Sequence, residues 1–228
     1  MKKVAVIPAR GGSKRLPRKN IIDFCGRPII SYTIDAALGC ELFERVIVST
    51  DDDEIADIST KFGAEVMLRP AELAADNARV VDVCLHVLDS ETGQGRSYEI
   101  LCCLYATAPL RGADDIKNTV ALVANGEGDF AMAVTKYHYP VHQAMIMNPA
   151  GLMQSMWPDW VRKRSQDVPD LYIDNGSTYV ARISEFIKLK HFRGSRLKGY
   201  YMPRNRSVDI DDIEDLEIAK YFARRSMQ

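Results

Sequence analysis

Short apolar runs alternate with longer stretches whose apolar residues recur every three or four positions through the first 136 residues. The run Val4–Pro8 predicts a buried strand, and Ile29, Ile30, Ile34 and Leu38 share one face of a helix expected over about Pro28–Leu38. Pro28 suits the first turn of that helix and Gly39 its stop. Arg45–Ser49 predicts a second strand, Asp53–Phe62 a helix ended by Gly63, and Glu65–Leu68 a third strand. The rhythm continues with a helix at Val80–Leu88, a strand at Glu99–Tyr105, a helix at Asp114–Ala124 and a strand at Asp129–Lys136. This alternation predicts an α/β fold: a mostly parallel sheet flanked by helices and joined by right-handed crossovers.

Beyond Lys136 the pattern breaks. Pro140, Pro149, Pro158 and Pro169 interrupt the chain, and Ala144–Met147 with Leu152–Met156 read as a β-hairpin around a turn at Asn148–Gly151. Met145, Ile146, Met147, Met153, Met156, Trp157 and Trp160 are too many apolar residues for so small a hairpin to bury alone, so a partner surface is expected. Short strands follow at Tyr179–Ala181 and Tyr200–Met202, with a helix near Ser184–Leu189 between them. A last helix is expected over Asp212–Arg225, where Arg224 and Arg225 suit the negative end of its dipole.

Charge narrows the partners. The 228 residues carry 30 Lys and Arg against 31 Asp and Glu, without the positive surplus usual in a duplex-binding domain. No nucleic-acid partner is expected. No apolar stretch approaches the eighteen or so residues of a membrane span, and no membrane partner is expected. Cys25, Cys40, Cys84, Cys102 and Cys103 form no CxxC pair, which suits reduced thiols in a cytoplasmic protein. Cys102 and Cys103 should point to opposite faces of their strand.

The most informative segment runs from Ile7 to Asn20, IPARGGSKRLPRKN. Arg10, Lys14, Arg15, Arg18 and Lys19 lie on a loop that follows the first strand, and Gly11 and Gly12 permit backbone conformations closed to other residues. Strand, glycine turn, cations and a following helix describe a pocket for a polyanion such as a nucleoside triphosphate. A solvated basic face is the alternative. Both GxxxxGK[ST] and GxGxxG are missing, which excludes the ATPase P-loop and the dinucleotide fingerprint.

Two acidic segments invite a metal. In Ser207-Val208-Asp209-Ile210-Asp211-Asp212 an extended backbone puts Asp209 and Asp211 on one face, with Val208 and Ile210 inward. Such a pair suits Mg²⁺ completed by substrate phosphates, whereas Asp212 suits the cap of the last helix. Asp51-Asp52-Asp53 could also ligate metal, although helix capping is the simpler account there. His86, His138, His142 and His191 have no zinc spacing.

IPARGGSKRLPRKN, Arg69–Ala74 (RPAELA), Arg164–Asp167 (RSQD) and Val208–Asp211 (VDID) together resemble the N-acylneuraminate cytidylyltransferases, which make CMP-activated sialic and related nonulosonic acids. The resemblance runs from Val4 to about Phe222. It implies a single Rossmann-like nucleotidyltransferase domain spanning residues 1–228, with a protruding β-rich dimerisation arm inserted at about 137–206. It also implies Mg²⁺ as cofactor, CTP and a nonulosonic acid as substrates, and a homodimer whose arm reaches the partner's active site. Lys19 matches the family's catalytic lysine and Asp209 and Asp211 its metal-holding, catalytic pair. Ala9, Arg10, Gly11, Gly12, Ser13, Lys14, Asn20 and Arg69 fall at CTP-binding positions. Tyr105, Thr107, His142, Arg164, Gln166, Asp167 and Tyr179 fall on the sugar side.

Within the family, Cys102–Pro109 (CCLYATAP) and the Ser165 of RSQD are similar to the pseudaminic acid enzymes, whereas Asn175–Tyr179 (NGSTY) is similar to the sialic acid enzymes. Pseudaminic acid is the favoured sugar, with N-acetylneuraminic and legionaminic acids as alternatives. A nucleotide-binding regulatory module without catalysis is the alternative from another class.

Overall fold

The computed structural model describes residues 1–226. From β1 (Lys3–Pro8) the chain enters the cationic loop, which ends in a single 3-10 turn at Lys19–Ile21. A small hairpin, β2 (Asp23–Phe24) and β3 (Arg27–Pro28), then leads to α1 (Ile29–Gly39). Next come β4 (Arg45–Thr50), α2 (Asp53–Lys61), β5 (Glu65–Leu68), α3 (Val80–Gly93), β6 (Ile100–Leu104), α4 (Ala113–Ala124) and β7 (Phe130–Lys136). The hairpin β8 (Met145–Met147) and β9 (Met153–Ser155) and the one-turn α5 (Pro158–Val161) precede β10 (Tyr172–Arg182), α6 (Ile183–Leu189), β11 (Leu197–Tyr201) and α7 (Ile213–Ser226).

Seven strands form one sheet in the order β11-β7-β10-β6-β1-β4-β5. Only β10 runs antiparallel to its neighbours in that sheet. Alternate residues of the central strands feed two cores. Ala5, Ile7, Val46, Val48 and Cys102 pack under α1, α2 and α4, while Val4, Val6, Ile47 and Cys103 pack against α3 and Phe186 of α6. Cys102 and Cys103 therefore face opposite sides, as their adjacency on a strand requires. A third cluster joins Leu16, Phe24 and Ile29 to Ile210 and to Leu216, Ala219 and Ala223 of α7. It brings the end of the chain against the cationic loop.

Several expectations shift for physical reasons. Pro28 pairs with Asp23 in the hairpin instead of opening α1, and α1 continues through Gly39 to a turn made by Glu41 at φ 53°. No α-helix follows the cationic loop directly; the 3-10 turn and the hairpin intervene. α3 runs five residues past Leu88 because Glu91, in its polar last turns, is buried among Arg45, Arg96 and Tyr98. Asp209 and Asp211 lie on an irregular extended segment with no strand partner, fixed by Ile210, which is buried and donates to Thr107 O at 2.9 Å.

Of the stretch 137–206 expected as an arm, β10 and β11 belong to the main sheet, so the part outside it is 137–171. The register of β10 against β7 breaks between Asp174 and Tyr179, where Gly176 takes φ +69°. That bulge hides a long strand from periodicity. All five cysteines are free. No helix among the described residues is long and apolar enough to cross a membrane.

Candidate active site

In an open, mostly parallel sheet, ligands bind beyond the carboxyl ends of the strands where the strand order reverses. Here that point lies at β1, with β4 on one side and β6 on the other. The loop after β1, the loop after β6 and the segment after β5 enclose a cavity of about 270 Å³ lined by Arg10, Ser13, Lys19, Asn20, Arg69 and Tyr105 among others. An adjoining cavity adds Lys14, Arg15 and Asp211.

Four of the five loop cations converge on two carboxylates. Arg10 Nη1 lies 3.0 Å from Asp76, and Lys14 Nζ reaches the other oxygen of the same group. The hydrogen bonds and charges of Lys14 and Arg10 hold the Asp76 carboxyl below its usual range. Arg15 and Lys19 both pair with Asp211 Oδ1, at 2.9 and 2.8 Å. The buried Asn20 ties the loop's end to its start by donating to Arg10 O at 2.8 Å.

The glycines act differently from expectation. Neither Gly11 nor Gly12 has positive φ; Arg18, at φ 56°, makes the left-handed turn. Gly11 is needed for close approach, since a Cβ there would stand 2.5 Å from Asp52 Oδ2, while Gly12 has open space. The Gly11 amide donates to Asp51 Oδ1 (3.1 Å), and the Ala9 amide is used by Ser49 O (2.9 Å) inside the sheet. Ala9 is buried, so its expected nucleotide contact is not through its N–H.

Arg69 is buried, and burial pulls its guanidinium below the usual arginine range. Its Nη1 donates to Leu73 O at 3.3 Å, while Nε and Nη2 have no hydrogen-bond partner. Buried donors of this kind call for an acceptor, and Arg69 lines the first of the two cavities.

Asp209 and Asp211 part in their electrostatics. Burial, reinforced by the charge of Asp211, raises the Asp209 carboxyl although Thr107 Oγ1 donates to it. Burial opposes ionisation of Asp211 too, but Lys19 and Arg15 outweigh it and lower that carboxyl. Gly176 lies so close to Asp209 that any Cβ would collide with its carboxylate. Asp212 caps α7, accepting from Asp215 N at 3.0 Å, while Asp215 accepts from Asp211 N at 3.0 Å. Capping thus accounts for Asp212 and leaves Asp209 and Asp211 for another task. A half-buried carboxylate beside an ionised one is a donor set that fits Mg²⁺, which needs one or two carboxylates when phosphates complete its shell. The described residues contain no cluster of three or more metal-type ligands.

The expected sugar-side residues divide. Tyr105 and Thr107 line the cavity shared with Arg69, and the rings of Tyr105 and Tyr179 lie 5.2 Å apart. Tyr179 in turn meets Phe192 at 5.5 Å, so Tyr105 is backed by an aromatic stack. The Thr107 hydroxyl is committed to Asp209. Arg164, Gln166 and Asp167 lie instead on the outlying segment, where Arg164 Nε pairs with Asp167 at 2.9 Å. His142 is buried in a separate cavity beside Tyr137 and Leu171. Within one chain, none of these four lines either cation-rich cavity.

Sequence reasoning missed Asp76, whose only signal is that it follows the RPAELA segment, and the tie between Arg18 and the Asp51–Asp53 cluster. It also missed Arg111, a buried guanidinium that donates to Ser177 O (2.6 Å) and Thr33 Oγ1 (2.8 Å). Burial lowers the pKa of Arg111 to about 10.

Fold and site together define an α/β nucleotide-binding protein with a cationic loop after its first strand. Its architecture is similar to that of CMP:2-keto-3-deoxy-manno-octonic acid synthetase complexed with CTP, with a TM-score of 0.72 at 18% identity, covering 99% of this chain and 100% of that one. The model of the cytidylyltransferase family matches residues 4–222, and the chain belongs to that family of transferases. It is 37% identical over 221 residues to the pseudaminic acid cytidylyltransferase of Campylobacter jejuni serotype O:2, covering 96% of this chain and 95% of the relative. It is 33% identical over 217 residues to the N-acylneuraminate cytidylyltransferase of Escherichia coli O18:K1:H7, covering 95% of this chain and 51% of that one.

Proposed function

We propose that this enzyme transfers CMP from CTP to the anomeric hydroxyl of a nonulosonic acid, with pseudaminic acid as the preferred sugar, and releases pyrophosphate. The observation that carries the reading is the meeting of Lys19 and Arg15 with Asp211 at the mouth of a cation-lined cavity. The sugar hydroxyl bonds to the α-phosphorus as the bond to pyrophosphate breaks, so charge accumulates on phosphoryl oxygens. Arg10 and Lys14 exchange Asp76 for the triphosphate, and the Gly12 and Ser13 backbone lies alongside it. Lys19 and Arg15 turn from Asp211 toward the α-phosphate, where Lys19 stabilises the charge that grows in the transition state. Arg69 and Asn20 border the nucleoside.

Asp209 and Asp211 would hold Mg²⁺, which when bound would neutralise phosphate charge and polarise the α-phosphoryl group. Release of Lys19 and Arg15 frees Asp211 for this role. Thr107 and Gly176 hold the Asp209 carboxylate in place.

Tyr105 and Tyr179 form an apolar sugar wall, which suits a deoxygenated sugar bearing a terminal methyl group. Arg164, Gln166 and Asp167, which are exposed in the single chain, reach the sugar from a second copy, while the buried His142 supports that segment from within. Met145, Ile146, Met147, Met153 and Met156 are all exposed in the single chain, and an apolar surface of that extent favours a homodimer through 137–171. The five free thiols suit a reducing cytoplasm.

The test is a panel of CTP with pseudaminic, legionaminic and N-acetylneuraminic acids, read by pyrophosphate release. The fastest turnover is expected with pseudaminic acid. Preference for N-acetylneuraminic acid would overturn the sugar assignment, and no release with any sugar would overturn the reaction.

A further inference from the structure

Arg18 is the one cation of the loop that lines neither cation-rich cavity. Its guanidinium turns away to α2, where Nη1 and Nη2 bond the two oxygens of Asp52 and Nη2 also meets Glu54. Asp52 is anchored independently: its Oδ1 accepts from Ile55 N at 2.9 Å as the cap of α2, and its own N–H donates to Thr50 Oγ1 at 3.2 Å. The start of the loop leans on the same anchor, because Gly11 packs against the Asp52 carboxylate and donates to Asp51. Both ends of the phosphate loop are therefore tied to the acidic segment that leads into α2. The tie at Arg18 holds the residue just before Lys19 in a left-handed conformation, which a non-glycine residue adopts at a cost.

We infer that Arg18 and Asp52 form a clamp that orients Lys19 toward the reacting phosphate, with Arg18 acting as a positioning residue. The backbone at Arg18 sets the direction in which the chain leaves the loop, and Arg18 O accepts from Ile21 N at 2.9 Å in the 3-10 turn that carries Lys19. Bidentate pairing fixes the guanidinium plane as well as its position, which a lysine ammonium does not do. The charge of Arg18 is spent on Asp52 and Glu54, so the residue adds little to triphosphate affinity. This gives the acidic cluster after β4 a task that is neither metal binding nor capping alone. The inference rests on the reading of Lys19 as the residue that acts at the α-phosphate.

The experiment compares kcat, KM for CTP and melting temperature in the full-length enzyme for Arg18→Ala, Asp52→Asn, the double variant and Lys19→Ala. Asparagine keeps the helix cap while removing the charge, so Asp52→Asn separates the clamp from the stability of α2. Arg18→Ala and Asp52→Asn are each expected to lower kcat roughly tenfold or more, the scale on which small misplacements act. KM for CTP should stay within about threefold and the melting temperature should change little, because the pair is partly exposed. The double variant should be no slower than the slower single variant, the signature of two residues acting as one unit. Arg18→Lys should recover only part of kcat.

The clamp is overturned if a folded Arg18→Ala or Asp52→Asn keeps wild-type kcat. It is also overturned if KM rises while kcat holds, which would make Arg18 a triphosphate ligand, or if the two effects multiply in the double variant. Wild-type kcat in Lys19→Ala would instead defeat the reading of Lys19. Slow Lys19→Ala beside fast Arg18→Ala defeats the clamp alone.

Discussion

Lys19 Nζ lies 2.8 Å from Asp211 Oδ1, joining residues 192 positions apart in the chain. The contact exists because Leu16, within the cationic loop, and Ile210, beside Asp211, share one apolar cluster with α7. Packing of the C-terminal helix thus delivers the acidic segment to the cations. If Lys19 leaves Asp211 to meet developing charge, its loss should fall on the transition state. Lys19→Ala is expected to lower turnover roughly a hundredfold or more while KM for CTP changes little, as Arg10, Lys14 and Arg15 remain. Steady-state kinetics with CTP varied at saturating sugar checks this; a raised KM with intact turnover would assign Lys19 to ground-state binding.

Asp209→Asn and Asp211→Asn should each leave the fold intact and reduce activity roughly a hundredfold or more at ordinary Mg²⁺. Asp211→Asn also frees Lys19 and Arg15 from their ion pair. A shift of the Mg²⁺ titration to higher concentration in either variant would identify the pair as metal-holding. Unchanged Mg²⁺ dependence would count against it.

A site shared between two copies can be tested by mixing. Lys19→Ala and Arg164→Ala protomers should each be slow alone, yet hybrids formed by co-refolding should regain activity, because one of the two sites in a hybrid would be unaltered. No recovery would place Arg164 in the same chain's site. Light scattering that shows only monomers at micromolar concentration would remove the dimer altogether.

Glu91 offers a check on the scaffold. Arg96 hydrogen bonds lower its pKa to about 2 against the cost of burial, and Tyr98 and Arg45 add to the effect. A folded-state value below the unfolded one means that the stabilisation is complete above the ordinary carboxylate pKa. It fades as pH falls from about 4.5 toward 2. Glu91→Gln should cost roughly 3 kcal/mol at pH 7, because two arginines lose a buried partner. It should also flatten the acid limb of stability in urea melts between about pH 5 and 3.

Tyr105→Gln replaces an aromatic wall with an amide. The variant is expected to lose rate with pseudaminic acid and to gain it with N-acetylneuraminic acid. Unchanged relative rates for the two sugars would show that selection lies elsewhere.

Local pattern alone determined much of this protein. Short apolar runs and helical spacing located the parallel strands β1, β4, β5, β6 and β7 and the helices between them, because those elements bury apolar residues that lie close together or repeat along the chain. The loop from Arg10 to Asn20 was legible as an anion site because its cations are contiguous in sequence. Tertiary structure decided the rest. β10 was hidden by the bulge at Gly176, and the reach of α3 depended on a buried ion cluster assembled from β4, α3 and the turn after it. Gly11 proved necessary for the approach of Asp52 and not for its dihedral angles, a fact that requires knowing where α2 begins. Asp76, Asp211 and Asp52 choose among five similar cations by proximity alone. Such pairings arise from distant segments meeting in space, where charge and distance act without regard to sequence order.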